Sequence, residues 1–210
     1  MTLETYRRKR RFERTPEPEG SVVGPSRSAS PVVDRGRFVV QRHRARRLHY
    51  DVRLELGGVL VSWAVPRGPS LDPGQRRLAI HVEDHPIEYF DFEGTIPARQ
   101  YGAGDVIVWD WGTWTADASN ADGSAALERG ELKFHVDGVK LRGEFVFLRM
   151  RWTDGPKDQW LLIHRKDRHA RAGWDAEDLP ESVKTGRTND EVAARVRPKR
   201  RSQRPTAAVA

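Results

Sequence analysis

The stretch 50–65, YDVRLELGGVLVSWAV, decides the reading of the fold. On either side of Gly57 and Gly58 stand two runs rich in Val, Leu, Tyr and Trp, the composition of strands parted by a turn. In the first run Tyr50, Val52, Leu54 and Leu56 alternate with Asp51, Arg53 and Glu55. A strand there sends its apolar side chains to one face and its charges to the other.

Runs of the same kind recur along the chain: FVVQ (38–41), LAIHVE (78–83), DVIVWDW (105–111), ELKFHV (131–136), EFVFLRM (144–150) and QWLLIHR (159–165). Turn-forming segments such as RGPSLDPG (67–74), GAG (102–104) and TDGPKD (153–158) separate them. Eight short strands with few helical patterns predict a mostly β chain, a closed or partly closed antiparallel barrel. The alternation predicts one buried and one solvated face per strand. One short helix is expected within SNADGSAALERGE (119–131), and Trp63, Trp109, Trp111 and Trp114 are expected in the core or barrel wall.

Composition bounds the rest. The 210 residues suffice for one domain with extensions, and a mean hydropathy of −0.72 predicts that part of the chain is disordered. Absence of cysteine excludes disulfides and thiolate metal sites, and no apolar run is long enough for a membrane helix. The N-terminal MTLETYRRKRRF has no apolar core of a signal peptide, so a cytoplasmic, nucleoid-associated protein is expected. The net charge of +7 suggests an anionic partner, yet six of those charges belong to residues 195–204, RVRPKRRSQR. The chain divides into an N-terminal arm (1–36) with a linker-like Pro/Ser/Gly pattern, a β-barrel (37–167), and a connector-like segment ending in a disordered basic tail (168–210).

The segment QRHRARRLHYDVRLE (41–55) carries the chemistry. His49 and Asp51 share the polar face of the second strand, close enough to bind one metal ion, and a tight loop through RARR returns His43 to them. Two imidazoles and a carboxylate with no sulfur suit manganese, iron or zinc, and a three-ligand set leaves a position open for chemistry. Arg53 on the same face would meet an anion bound to that metal. LAIHVEDHPIEYFDFEG (78–94) adds His85, at a strand end before Pro86, and Tyr89, while His81 inside the strand reads as structural. His135, His164 and His169 read as incidental.

FVVQRHRARRLHYDVRLELGGVLVSWAVPRGPS (38–70) and RLAIHVEDHPIEYFDFEGTIPARQYGAGDVIVWDWGTW (77–114) closely resemble the 3′-phosphoesterase domain of bacterial ligase D, an enzyme of non-homologous end joining. The likeness runs from about Tyr6 to about Asp167, and PESVKTGRTNDEVA (180–193) resembles the connector beside that domain. With no ligase or polymerase segment, the chain reads as a free-standing version. The resemblance implies a metal-dependent barrel that removes a 3′-terminal ribonucleoside and then the 3′-phosphate, leaving a 3′-hydroxyl. It puts His43, His49 and Asp51 in the metal-ligand positions, and Arg53, His85, Tyr89 and Arg77 at the scissile phosphate. It implies that Arg10 and Glu17 serve ribonucleoside removal from an arm packed over the site. The cofactor it implies is a divalent metal, manganese first, with zinc or cobalt as alternatives. The partners are DNA 3′ ends (primer-template or break ends), an ATP-dependent DNA ligase and an end-binding protein, with no membrane.

Three departures from the family pattern bear on this. Arg67 stands where the family has lysine in VPKGPS, and Arg11 follows Arg10 where an aspartate is usual, which weakens the expectation for ribonucleoside removal. Arg44 and Arg46 make the first loop more basic than usual, predicting tighter hold on a DNA backbone. The chief rival is a barrel that binds DNA ends and recruits a ligase without catalysis. A phosphoesterase of RNA ends and a cupin-like oxygenase are further rivals, the latter disfavoured by the arginines around the site.

Overall fold

The computed structural model describes residues 2–21, 33–151, 158–199 and 205. The turn read at 153–158 and the end of the basic tail fall almost wholly outside these residues, as does most of SVVGPSRSASP.

Nine strands are formed among the described residues: β1 (Arg35–Arg44), β2 (Leu48–Leu56), β3 (Val59–Val65), β4 (Arg76–His81), β5 (Gly94–Ile96), β6 (Gly104–Ala116), β7 (Glu131–Gly138), β8 (Arg142–Arg149) and β9 (Gln159–His164). They pair in the order β1-β2-β3-β4-β9-β8-β7-β6, and β6 returns to β1. Eight antiparallel strands therefore close a barrel without free edges, as the sequence predicts. The short β5 pairs with the start of β6 outside the ring. It escapes a sequence reading because three residues carry no period. The expected short helix is α2 (Gly123–Arg129), started by the Asp122 side chain and stopped by Gly130 at φ 89°.

The lumen is filled, not hollow. Trp63 stacks on Phe147 at 4.1 Å, Phe147 on Phe134 at 5.4 Å, and Trp160 meets Trp63 edge-on at 6.0 Å. Each such fully buried side chain contributes about 2–3 kcal/mol of transfer free energy. All four tryptophans singled out in the sequence are buried.

A second core lies on the outside of the barrel wall. Val39, Leu60, Val108 and Trp111 point outward and are covered by Tyr6, Tyr89, Phe90 and Val183. The expectation of a solvated outer face thus fails for β1 and β2, whose outer residues are buried as well. The covering pieces come from three separated segments, so no single strand's alternation could announce them. A β-bulge allows β6 to serve both cores: Val40 pairs with Asp110 but Gln41 with Val108, leaving Trp109 as the extra residue. Ile107 and Trp109 therefore enter the lumen while Trp111, of the same parity, faces out.

Two flanking segments pack on this wall. In the N-terminal one, α1 (Leu3–Arg8) places Tyr6, whose hydroxyl donates to the Pro18 carbonyl at 2.6 Å. In the C-terminal one, the Val183 amide donates to the Val108 carbonyl at 2.9 Å and Trp109 Nε1 donates to the Leu179 carbonyl at 2.7 Å. Residues 168–199, read as a connector, thus lie against β1 and β6, with α3 (Asn189–Ala193) at the end of β1. No helix of the described residues is long and apolar enough to cross a membrane.

Candidate metal and phosphate site

The site grows from the β1–β2 hairpin. The three residues 45–47 turn the chain and set His43 opposite His49 and Gln41 opposite Asp51. Tyr50, Val52 and Leu54 fill the lumen, so Asp51 and Arg53 are forced to the outer face, as the alternation predicts.

His43, His49 and Asp51 each offer a ligand atom, all within 4.8 Å of one another. His43 Nδ1 lies 3.7 Å from Asp51 Oδ2, and His49 Nε2 lies 3.7 Å from Asp51 Oδ1. The other nitrogen of each ring meets a carbonyl: His43 Nε2 donates to Gly102 at 2.8 Å and His49 Nδ1 donates to Arg47 at 3.0 Å. A carbonyl only accepts, so both lone pairs are left facing Asp51. This is how metal-binding histidines are oriented, and the set fits one divalent cation.

Burial opposes ionisation of Asp51, but the Arg53 guanidinium beside it outweighs that and helps hold the carboxyl well below the usual carboxylate range. Arg53 is itself immobilised, donating through Nε to Gln41 at 2.8 Å, through Nη1 to Ser62 at 2.9 Å and through Nη2 to Asp51 at 3.1 Å. Three of its five N–H groups are engaged, and the fork edge keeps the rest.

His85 stands between two guanidinium groups. Its Nδ1 is 2.9 Å from the Glu83 carbonyl and its Nε2 accepts from Arg10 Nη2 at 3.3 Å. Burial, then Arg53 and Arg10, push its basicity well below that of a free histidine. The ring is neutral at neutral pH. Arg53 Nη1 also approaches Nδ1 at 3.0 Å, a donor facing a donor in this tautomer. An anion that takes up Arg53 Nη1 would relieve that contact.

The N-terminal segment closes the other side. Arg10 Nε donates to Glu17 at 2.8 Å and its Nη1 donates to Glu83 at 3.3 Å, with side chains almost wholly buried. Glu17 also accepts from the Tyr89 hydroxyl at 3.2 Å. Burial first, and Glu17 next, keep that phenol protonated far above its ordinary range. Arg11 is exposed and takes no part in this network.

A cavity of about 230 Å³ results, lined among others by Arg10, His43, His49, Asp51, Arg53, His85 and Tyr89. Glu17 lies behind Arg10 and Tyr89. Two residues of the sequence reading are not brought here. Arg67 is exposed beyond the end of β3, and Arg77, on β4 opposite Leu162, is absent from the cavity lining. His81 bonds to Asp158 at 2.9 Å and stacks on Trp63, away from the cavity.

Sequence reasoning passed over Gln41, Ser62, Glu83, Tyr101 and the Gly102 carbonyl. Gln41 had a signal, since it shares the face of His43 two residues on. Glu83 had none, because its partners Lys9 and Arg10 lie in a distant part of the chain.

The family described as the DNA Ligase D 3′-phosphoesterase domain matches residues 41–149. The multifunctional non-homologous end joining protein LigD of Pseudomonas aeruginosa is 49% identical over 189 residues, covering 89% of this chain and 21% of that protein. The multifunctional non-homologous end joining DNA repair protein LigD of Mycobacterium tuberculosis is 40% identical over 184 residues, 87% of this chain and 22% of that protein. The LigD of Mycolicibacterium smegmatis is 40% identical over 172 residues, 79% of this chain. The chain spans about a fifth of the length of these curated relatives.

Proposed function

Because the chain belongs to the DNA ligase D 3′-phosphoesterase domain family, we propose that it is a metal-dependent phosphoesterase of DNA 3′ ends in non-homologous end joining. It removes a 3′-terminal ribonucleoside and then the 3′-phosphate, and leaves a 3′-hydroxyl for a ligase. The observation that carries this reading is the meeting of His43, His49 and Asp51 with Arg53 and His85 in one cavity.

His43, His49 and Asp51 would hold the divalent metal, manganese first and zinc or cobalt as alternatives. When bound, the metal supplies a positive charge for a phosphate oxygen and a more acidic water. The protein's part is positioning. Arg53, fixed by Gln41, Ser62 and Asp51, presents its fork edge to the phosphate and stabilises charge as the bond to the leaving oxygen lengthens. His85, held neutral with Nδ1 on the Glu83 carbonyl, steadies Arg10 through Nε2 beside the phosphate and carries no extra proton to donate. Tyr89, a protonated phenol donating to Glu17, lies with its ring against Arg53 and orients that guanidinium. Arg10, braced by Glu17 and Glu83, bounds the place of the terminal nucleoside. Arg67 and Arg77, outside the cavity, take no part in holding the phosphate.

The test is a gel assay on a primer–template ending in one ribonucleotide, with manganese or with chelator, wild type beside His49→Ala. Metal-dependent shortening to a 3′-phosphate and then a 3′-hydroxyl is expected from wild type only. DNA retention without hydrolysis by the wild type would replace this reading with a non-catalytic end-binding module.

A further inference from the structure

Beside the cavity runs a second, larger depression of about 1100 Å³ between the β1–β2 turn and the loop after β5. His49, Ala45, Ile96, Tyr101 and Gly102 line both depressions, so one opens into the other at the metal ligands.

Its charged side chains are Arg44, Arg46, Arg47, Arg99 and Asp105. The sequence reading gave Arg44 and Arg46 to the DNA backbone, and the structure divides them. Arg44 is spent on Asp105, at 2.9 Å, and on Asp190. Arg46, Arg47 and Arg99 are exposed and meet no carboxylate among the described residues. Arg99 is held at φ 69°, a left-handed backbone that few non-glycine residues adopt, in a turn closed by the Gln100 amide on the Pro97 carbonyl at 3.2 Å. At the junction Tyr101 keeps 47% of its surface exposed while Lys9 holds its hydroxyl at 3.1 Å and Lys9 and Arg10 lie over its ring at 4.7 and 5.3 Å.

We infer that this groove seats the backbone of the strand whose 3′ end enters the cavity. Arg46, Arg47 and Arg99 meet its successive phosphates, and Tyr101 offers a ring face to the base next to the terminal nucleotide. The inference rests on the function proposed above for the cavity, and it adds the path of the strand. Three unpaired guanidinium groups along one depression match the repeating charge of a polynucleotide, and an exposed aromatic at its mouth matches an unstacked base.

The experiment uses the full chain with Arg46, Arg47 and Arg99 all changed to Gln, and a second variant with all three changed to Lys. Fluorescence anisotropy with a labelled single-stranded 12-mer bearing a 3′-phosphate, in chelator, reads binding without turnover. The Gln variant is expected to bind more than 10-fold more weakly at 0.1 M salt. Its salt slope should fall by about 2, because each single-strand phosphate contact contributes about 0.7. The Lys variant should recover most of that slope. In hydrolysis, the kcat/KM ratio of the 12-mer over a nucleoside 3′-phosphate should fall at least 10-fold in the Gln variant. A salt slope unchanged by the Gln substitutions, or an unchanged ratio in an active enzyme, overturns the groove. If the wild type hydrolyses neither substrate, the phosphoesterase reading fails, and the salt slope still decides the groove.

Discussion

Arg53 shows how much one residue carries here. Its guanidinium joins Gln41, Ser62 and Asp51 in a fixed geometry at 2% exposure. Arg53→Lys keeps the charge and loses the fork, so kcat should fall about 100-fold, and the unpaired groups left behind should cost about 1–3 kcal/mol of stability. Steady-state rates and denaturant unfolding check both. Asp110 illustrates a residue far from the chemistry. Its carboxylate accepts the amides of Val139, Lys140 and Leu141 at 3.0, 3.0 and 2.8 Å, which ties the β7–β8 turn to the bulge. Burial outweighs those bonds and pushes its pKa up to about 6. A raised carboxyl binds its proton more tightly folded than unfolded, so its contribution is full below about pH 4 and declines as the pH rises to about 6. The stability of wild type over Asp110→Ala, measured by unfolding at each pH, should therefore shrink by about 3 kcal/mol across that window and stay level above it. At this scale the sequence was legible where a residue's role follows from its own strand, as for Asp51 and Arg53. It was silent for Glu83, whose role comes from contacts with residues more than 70 positions away.

Among the elements, the hairpin β1–β2 and the GAG loop form one unit. The Gly102 carbonyl fixes the ring of His43, and Gly104, at φ 145°, passes so close that an added Cβ would lie 2.3 Å from the Arg44 carbonyl oxygen. Gly104→Ala should store about 1–3 kcal/mol of strain and displace the end of β1. Weaker metal binding by calorimetry together with a lower unfolding midpoint is the expected result. A drop in midpoint with metal affinity intact would show that the loop does not position His43. The sequence marks GAG as a turn but not as a support, because a backbone carbonyl has no letter of its own. The strands were legible through their period of two, and the outer core was not, because Tyr6, Phe90 and Val183 meet only in the folded chain.

Seen whole, the molecule is a barrel with its site on the outer wall and two flanking segments over that wall. The C-terminal one is fastened beside His43: Asn189 accepts from Arg42 and donates to the carbonyls of Arg42 and Asp105, while Glu177 joins Arg42 and the Tyr50 hydroxyl at 2.6 Å each. A chain ending at Asp167 should lose about 3 kcal/mol from the bonds of Asn189 alone, besides the cover over Val108. Thermal unfolding of that shortened chain, with a midpoint equal to that of the full chain, would refute the fastening. Barrel closure through β1 and β6 brings together residues 61 to 80 positions apart, a pairing that local patterns do not encode. The doubly covered wall has a consequence for motion. Strand β1 is sealed by side chains above and below and hydrogen-bonded along both edges, so its amides sit where exchange with solvent is slowest. Side chains carried on such a strand, His43 among them, are held in one place and do not swing. Any opening of the cavity is then expected in the parts outside the ladder, the N-terminal segment and the loop bearing Arg99 and Tyr101, where amide exchange should be fastest.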